Sequence, residues 1–178
     1  LDFKQVTIGV VGALTKRKNQ RFIIEWLAKT NCKNVSVIFF GDGEDFGVLS
    51  ALVQEYQLSD RVKFAGWVRE KDVVYRQIDL LVISSIVEGV PLVMLEAAIR
   101  RVPVLAADLV GVSDFLPKEM LFIVNDLNDF EDKFNALIQY PEILWAAVEN
   151  NYQKVISNNL QSNFDAQLGH IFNKILAK

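Results

Sequence analysis

Six short apolar runs recur along this chain, near Val6–Val11, Val35–Phe40, Val62–Phe64, Leu80–Ile83, Val102–Ala106 and Leu121–Ile123, and helical patterns separate the first five from one another and follow the sixth. The helical stretches fall near Gln20–Lys29, Gly47–Tyr56, Lys71–Gln77, Pro91–Arg100 and Leu127–Gln139, with more helix from Pro141 to Leu176. A continuous apolar run of this length suits a strand buried on both faces, which parallel sheets covered by helices provide. Strands alternating with helices imply right-handed crossovers and helix layers on both sides of the sheet. The pattern predicts an α/β, Rossmann-like doubly wound domain with a six-stranded, mostly parallel sheet. At 178 residues and 51% hydrophobic composition, the chain suits one such domain, residues 1–178, with the C-terminal helices included.

Charge and cysteine content narrow the partners. A net charge of -3 argues against a general affinity for nucleic acid or anionic membrane, so an anionic ligand must be met locally. Lys16, Arg17 and Lys18 supply such a patch. The one cysteine, Cys32, cannot form an internal disulfide and fits a reducing, cytoplasmic setting with an inert thiol. No apolar run approaches the roughly 18–20 residues that cross a bilayer, and no basic segment with an apolar signal core opens the chain. The chain begins at Leu1, not methionine, and is expected to be a segment of a longer protein. His170, the only histidine, is expected to be a surface or packing residue.

In open sheets of this class, ligands sit beyond the carboxyl ends of the strands, and three segments there carry candidate chemistry. After the fourth run come Ser84 and Ser85, then Glu88, Gly89, Pro91 and Glu96, so that two glutamates bracket seven residues at a strand-to-helix junction. Gly89 allows a tight path, Pro91 suits the first helical position, and the free N–H groups near Leu92 and Val93 favour an anion such as phosphate. After the first run, Gly12, Ala13, Leu14 and Thr15 lead into Lys16, Arg17, Lys18 and Asn19, where small residues admit a ligand and cations can neutralise it. Read alone, this second segment is more simply a solvated basic loop. After the second run, Gly41, Asp42, Gly43 and Gly47 resemble a dinucleotide-binding turn, but no carboxylate stands at the end of the next strand, Val62 to Trp67, to hold a ribose. A tight glycine turn is the simpler reading there. An NAD(P)-binding module, and a non-catalytic domain whose cleft docks a partner chain, stay open as alternatives.

Four ordered segments, IGVVGALTKRKNQ (8–20), VIFFGDG (37–43), LSDRVKFAGWV (58–68) and SSIVEGVPLVMLEAAIRRVPVLAAD (84–108), together resemble the donor-binding, C-terminal half of a retaining glycosyltransferase of the GT-B fold, family 4 (glycosyl transferases group 1). The resemblance covers nearly the whole chain. It implies transfer of a sugar from a nucleoside-diphospho-sugar, a UDP- or GDP-sugar, to an acceptor hydroxyl with retention, in glycan or cell-surface polysaccharide synthesis and without a metal. It implies that Glu88 is the catalytic residue beside the transferred sugar and that Glu96 holds the ribose. Lys18 corresponds to the diphosphate-binding lysine, and Gly12, Arg17 and Ser85 join the donor site. The backbone of Gly89, Val90 and Leu92 faces phosphate and sugar, and Val68 meets the base through its main chain. The chain departs from the family pattern at Ala13, where an arginine is common, and at Asn19 and Arg101, where glycines are frequent. Asn19 is expected to serve as a helix cap instead, and the missing arginine's contact to pass to Lys16 or Arg17. An N-terminal Rossmann-like domain carrying the acceptor site is the implied partner. A peripheral membrane contact of the full-length enzyme is compatible with the resemblance.

Overall fold

In the computed structural model, which describes residues 5–159, six strands form one all-parallel sheet: β1 (Val6–Val11), β2 (Val35–Phe40), β3 (Val62–Gly66), β4 (Leu80–Ile83), β5 (Val104–Ala107) and β6 (Leu121–Phe122). Their spatial order is β3-β2-β1-β4-β5-β6, so the chain reverses direction across the sheet between β1 and β4. All four residues of β4 and of β5 are buried, as central strands demand. Six helices connect or follow the strands: α1 (Gln20–Lys29), α2 (Phe46–Glu55), α3 (Lys71–Tyr75), α4 (Leu92–Ile99), α5 (Leu127–Gln139) and α6 (Pro141–Asn159). The expected helix beyond residue 159, with His170, lies outside the described residues.

The core is dominated by aromatic rings where α1 meets α5 and β6. Phe130 sits edge-on to Trp26 and to Phe122 at 4.9 Å each, and Trp26 is edge-on to Phe134 at the same separation. Such pairs add about 0.5–1.5 kcal/mol beyond the area they bury. The Phe130, Phe134 and Leu137 spacing is the one-faced pattern of a helix lying on a core. Asp126 starts α5 by accepting from the N–H groups of Asn128 and Asp129, both at 3.0 Å.

At several element ends that differ from the sequence expectation, a specific hydrogen bond accounts for the difference. The fifth strand starts at Val104, not Val102, because the Val102 N–H closes the end of α4 on the Ala97 carbonyl at 3.0 Å. With Arg101 N–H on the Ala98 carbonyl at 3.1 Å and Arg101 at φ 53°, this is a Schellman ending. The left-handed residue explains why glycine is favoured there; Arg101 instead gains an ion pair with Glu149 at 3.1 Å and stacks 3.5 Å over the Tyr152 ring of α6. The sixth strand stops at Phe122 because Ile123 N–H turns to the Asp129 carboxylate, 2.6 Å away. Helix α3 ends at Tyr75, where Gln77 N–H pairs three residues back with Val74. The 3-10 turn at Lys118–Met120 carries no signal in the sequence pattern.

Candidate functional site

The reversal of strand order between β1 and β4 leaves a crevice at their carboxyl ends, flanked by the loop Gly12–Asn19 and the loop Ser84–Pro91. Hydrogen bonds knit the two loops together. Ile86 N–H donates to the Arg17 carbonyl at 2.9 Å, the Ser84 hydroxyl donates to the Lys18 carbonyl at 3.0 Å, and Asn19 Nδ2 donates to the Ser84 carbonyl at 3.1 Å. Lys18 is therefore held by its own backbone over the start of the Glu88 loop. Asn19 stands at the N-cap position of α1, but it is left-handed (φ 56°) and its side chain caps nothing; it bridges to Ser84 and, at 2.9 Å, to Asn125. The expected capping role is replaced by a tether. The positive φ explains the frequent glycine, and asparagine tolerates that conformation.

Glu88 is the centre of the first cluster. Its carboxylate accepts from Lys18 Nζ at 2.5 Å and from the Ser85 hydroxyl at 2.6 Å, and Arg17 lies 3.5 Å away. The Glu88 side chain is only 8% exposed and that of Lys18 only 17%. Burial, the largest single influence, pushes the Glu88 carboxyl up, yet the hydrogen bonds from Lys18 and Ser85 and the charges of Lys18 and Arg17 outweigh it and hold it below the usual range. Glu88 is thus ionised at neutral pH. Arg17 also donates to the Val87 carbonyl at 3.2 Å, whereas Lys16 lines a separate small recess with Thr15, Gln20 and Arg21. Of the two cations expected to replace the arginine missing at Ala13, Arg17 is the one at the crevice.

This ion cluster has a pH signature. Because the folded carboxyl ionises at lower pH than an unfolded glutamate, near 4.3, its stabilisation is complete above that value and is lost as the pH falls through the folded pKa. Urea midpoints of wild type and Glu88→Gln should differ by a constant amount near neutrality, and the wild-type advantage should shrink below about pH 4. A gap that stays constant down to pH 3 would contradict an ionised Glu88.

Glu96 occupies a different setting, on the face of α4 that meets α3. Its Oε2 accepts from the Tyr75 hydroxyl at 2.9 Å and its Oε1 lies 3.2 Å from Lys71 Nζ. The Tyr75 hydroxyl also lies 3.1 Å from the Val93 carbonyl. Arg100 fastens the same corner: its Nε donates to Asp72 at 2.8 Å, its NH1 to the Glu96 carbonyl at 3.0 Å, and its guanidinium sits 5.2 Å from the centre of the Tyr75 ring. Sequence reasoning named Glu96 but not Tyr75 or Lys71. The i, i+4 spacing of Lys71 and Tyr75 on one helix face is the only signal that linked them.

Between the two glutamates stands the N-terminus of α4. Pro91 is the residue before the helix (φ -67°, ψ 120°), not its first turn, and helix begins at Leu92. Extended ψ at Pro91 aims the chain out of the Gly89 turn, and no side chain caps the helix. The first backbone bond there is Met94 N–H to the Pro91 carbonyl, 3.0 Å, and it leaves the Leu92 and Val93 N–H groups in the positions where a helix meets an anion. Val90 and Leu92 are largely exposed, 59% and 71% respectively. The Gly89 turn is buttressed by Gly111, where an added Cβ would lie 2.5 Å from the Gly89 carbonyl oxygen.

The glycines after β1 and β2 are packing residues. A Cβ on Gly41 would stand 2.1 Å from the Gly12 carbonyl oxygen, and one on Gly43 would stand 2.3 Å from that of Leu14. The space their missing side chains leave is filled by backbone of the first loop and not by a cleft for pyrophosphate. A Cβ on Gly12 itself (φ 145°) would meet the Lys18 side chain at 3.4 Å, so Gly12 leaves room for that cation. Asp42 accepts from Trp67 N–H at 3.1 Å and so ties the turn to the segment after β3, where Val68 packs half-buried on the core and Trp67 is exposed. A separate open recess of about 710 Å³ between α1 and the start of α5 includes Glu131, but that carboxylate is engaged by Trp26 Nε1 and, at 2.9 Å, by Thr30. Among the described residues, no three His, Cys, Asp or Glu side chains gather as metal ligands, and no helix is long and apolar enough to cross a membrane.

Comparison with known proteins identifies the family and the fold. The family described as glycosyl transferases group 1 matches residues 2–154. An Escherichia coli UDP-Gal:alpha-D-GlcNAc-diphosphoundecaprenol alpha-1,3-galactosyltransferase is 28% identical over 155 residues, which is 78% of this chain and 39% of the relative. Anabaena HepE, solved with UDP-glucose, superposes with a TM-score of 0.85 at 21% identity over 96% of this chain and 49% of its own. The C-terminal domain of LpcC, a group 1 protein from Francisella tularensis, superposes with a TM-score of 0.73 at 22% identity, covering 86% of this chain and 85% of that domain. The fold is therefore that of the C-terminal Rossmann-like half of GT-B glycosyltransferases. The chain spans less than half the length of the E. coli relative.

Proposed function

Because the chain belongs to the glycosyl transferases group 1 family, we propose that it is the donor-binding half of a retaining glycosyltransferase that moves a sugar from a nucleoside-diphospho-sugar to an acceptor hydroxyl. The observation that carries this reading is the cluster at the crevice, in which Lys18, Arg17 and Ser85 converge on Glu88 beside the uncapped N-terminus of α4. Lys18, Arg17 and that helix end supply positive potential for a diphosphate and for the charge that grows on it as the sugar departs. Glu88, held ionised, is unsuited to donate a proton and suits stabilisation of a cationic sugar. In this reading Gly12 and Gly89 keep backbone close to the phosphates, the main chain of Val68 contacts the base, and Glu96 takes the ribose. The names of the relatives favour a UDP-sugar donor; an acceptor in cell-surface glycan synthesis and a cytoplasmic site of action belong to the same proposal. In this reading the acceptor site belongs to a second, N-terminal Rossmann-like domain, and the chain alone transfers sugar poorly.

Calorimetric titration with UDP, GDP and ADP tests the donor site. At least one is expected to bind, and Glu96→Gln should weaken it by about tenfold or more, about 1.4 kcal/mol per decade. Absence of binding by all three at millimolar concentration would remove the assignment. A nicotinamide dinucleotide that binds more tightly than any of them would favour the NAD(P) alternative. Binding that ignores the Glu96 substitution would refute the ribose role of Glu96, whereas binding with the expected dependence counts against a partner-docking domain.

A further inference from the structure

The Glu96 carboxylate does not stand free: each of its oxygens already has a partner on α3, Oε2 the Tyr75 hydroxyl at 2.9 Å and Oε1 the Lys71 ammonium at 3.2 Å. A carboxylate offers about two acceptor positions on each oxygen. One partner per oxygen leaves acceptor capacity on both oxygens, and a carboxylate that can accept at both can take the two hydrogen bonds that a vicinal diol donates. We infer that Tyr75, assisted by Lys71, is a positioning residue that fixes the Glu96 carboxylate for bidentate recognition of the 2′- and 3′-hydroxyls of the donor nucleotide. The inference rests on the ribose role proposed for Glu96 and adds the reason why that carboxylate points one way.

The two braces differ in kind. Tyr75 is 3% exposed, so its ring is fixed in the core, and Arg100 over that ring holds α3 against α4. Burial, reinforced by the charge and hydrogen bond of Glu96, raises the phenol well above its usual range, so it stays a proton donor at every working pH. The Lys71 side chain is 45% exposed and supplies charge without a fixed geometry. A Glu96 freed from Tyr75 can rotate about its side-chain torsions at little cost, and each rotation spoils the paired geometry that two hydroxyls need. Phosphate contacts at Lys18 are made by other residues and should not feel the change; Tyr75 touches the first turn of α4 through the Val93 carbonyl, 3.1 Å away, and not through the N–H groups offered to phosphate.

The test compares the tightest binder among UDP, GDP and ADP with its 2′,3′-dideoxy analogue, on wild type and on Tyr75→Phe. Wild type should prefer the diol form by about tenfold or more. Tyr75→Phe keeps the ring and removes one oxygen; it should lose most of that preference while its affinity for the dideoxy analogue stays at the wild-type value. A general loosening of the fold would weaken both ligands together. Retention of the full preference in Tyr75→Phe overturns the inference. If that variant does not fold, Lys71→Met, at an exposed position, takes its place, with reduced preference expected and unchanged preference overturning the assignment. A wild type with no preference for the diol fails earlier, because it removes the ribose role of Glu96 itself.

Discussion

Replacing Lys18 with methionine is expected to cost both stability and nucleotide binding, and the two losses should separate in a double substitution. Methionine keeps the stem that packs beside Gly12 but removes the ammonium that sits 2.5 Å from Glu88. With the Glu88 side chain only 8% exposed, its charge is left with Ser85 and a more distant, half-exposed Arg17. Leaving a buried acceptor short of its main partner costs about 1–3 kcal/mol, and more when the group is charged. The carboxyl should respond by moving up from its depressed value, since burial then acts against a weaker opposition. In the donor-site reading the same variant loses a charge-assisted hydrogen bond to diphosphate, about 1.5–3 kcal/mol or roughly ten- to hundredfold in affinity. Adding Glu88→Gln to Lys18→Met removes the stranded charge and should restore part of the urea midpoint without restoring binding. A Lys18→Met variant that binds nucleotide as tightly as wild type would separate this lysine from the phosphate.

The second large effect concerns the glycines after β2, where substitution should act in opposite directions six residues apart. Gly41→Ala places a methyl 2.1 Å from the Gly12 carbonyl oxygen and 2.8 Å from its carbon, at a φ of 136° that L residues rarely adopt. Backbone, unlike a flexible side chain, cannot swing away. Steric strain of 1–3 kcal/mol for overpacking adds to about 1–3 kcal/mol for the conformation, so a loss on the order of 3 kcal/mol is expected in urea unfolding. The Gly12 loop that carries Lys18 should be displaced with it. Gly47→Ala meets nothing within 4 Å and lies inside α2; it should stabilise by about 0.4–1 kcal/mol. A dinucleotide-binding turn would show a different result, with Gly41→Ala tolerated in the free protein and harmful only to cofactor binding.

Much of the architecture was legible before any coordinates, and the reasons are local. Buried parallel strands need unbroken apolar runs, so Leu80–Ile83 and Val35–Phe40 declared themselves, and five helices between or after the runs followed. What escaped was set by single hydrogen bonds at element ends, such as Val102 on Ala97 or Ile123 on Asp129, which leave no periodic trace. Pro91 misled because its missing N–H suits either the residue before a helix or its first turn, and the ψ imposed by the Gly89 turn decided between them. Asn19 misled because its capping chemistry was diverted across the crevice to Ser84 and Asn125.

The candidate site divides in the same way. Residue types and chain order bring acids, cations and small residues to strand ends, because a doubly wound sheet gathers its loops at one edge; that much needs only the succession of apolar and helical segments. Pairing is another matter. Lys18 and Glu88 are 70 residues apart, as are the loops they belong to, and Tyr75 meets Glu96 across 21 residues. Ion pairs and hydrogen bonds depend on distance in space and on burial, and neither quantity is written in the spacing of residues along a chain. Sequence therefore supplied the chemistry available at the sheet edge, while the packing of α3 on α4 and of the first loop on the β4 loop selected which groups share a proton, a charge or a ligand.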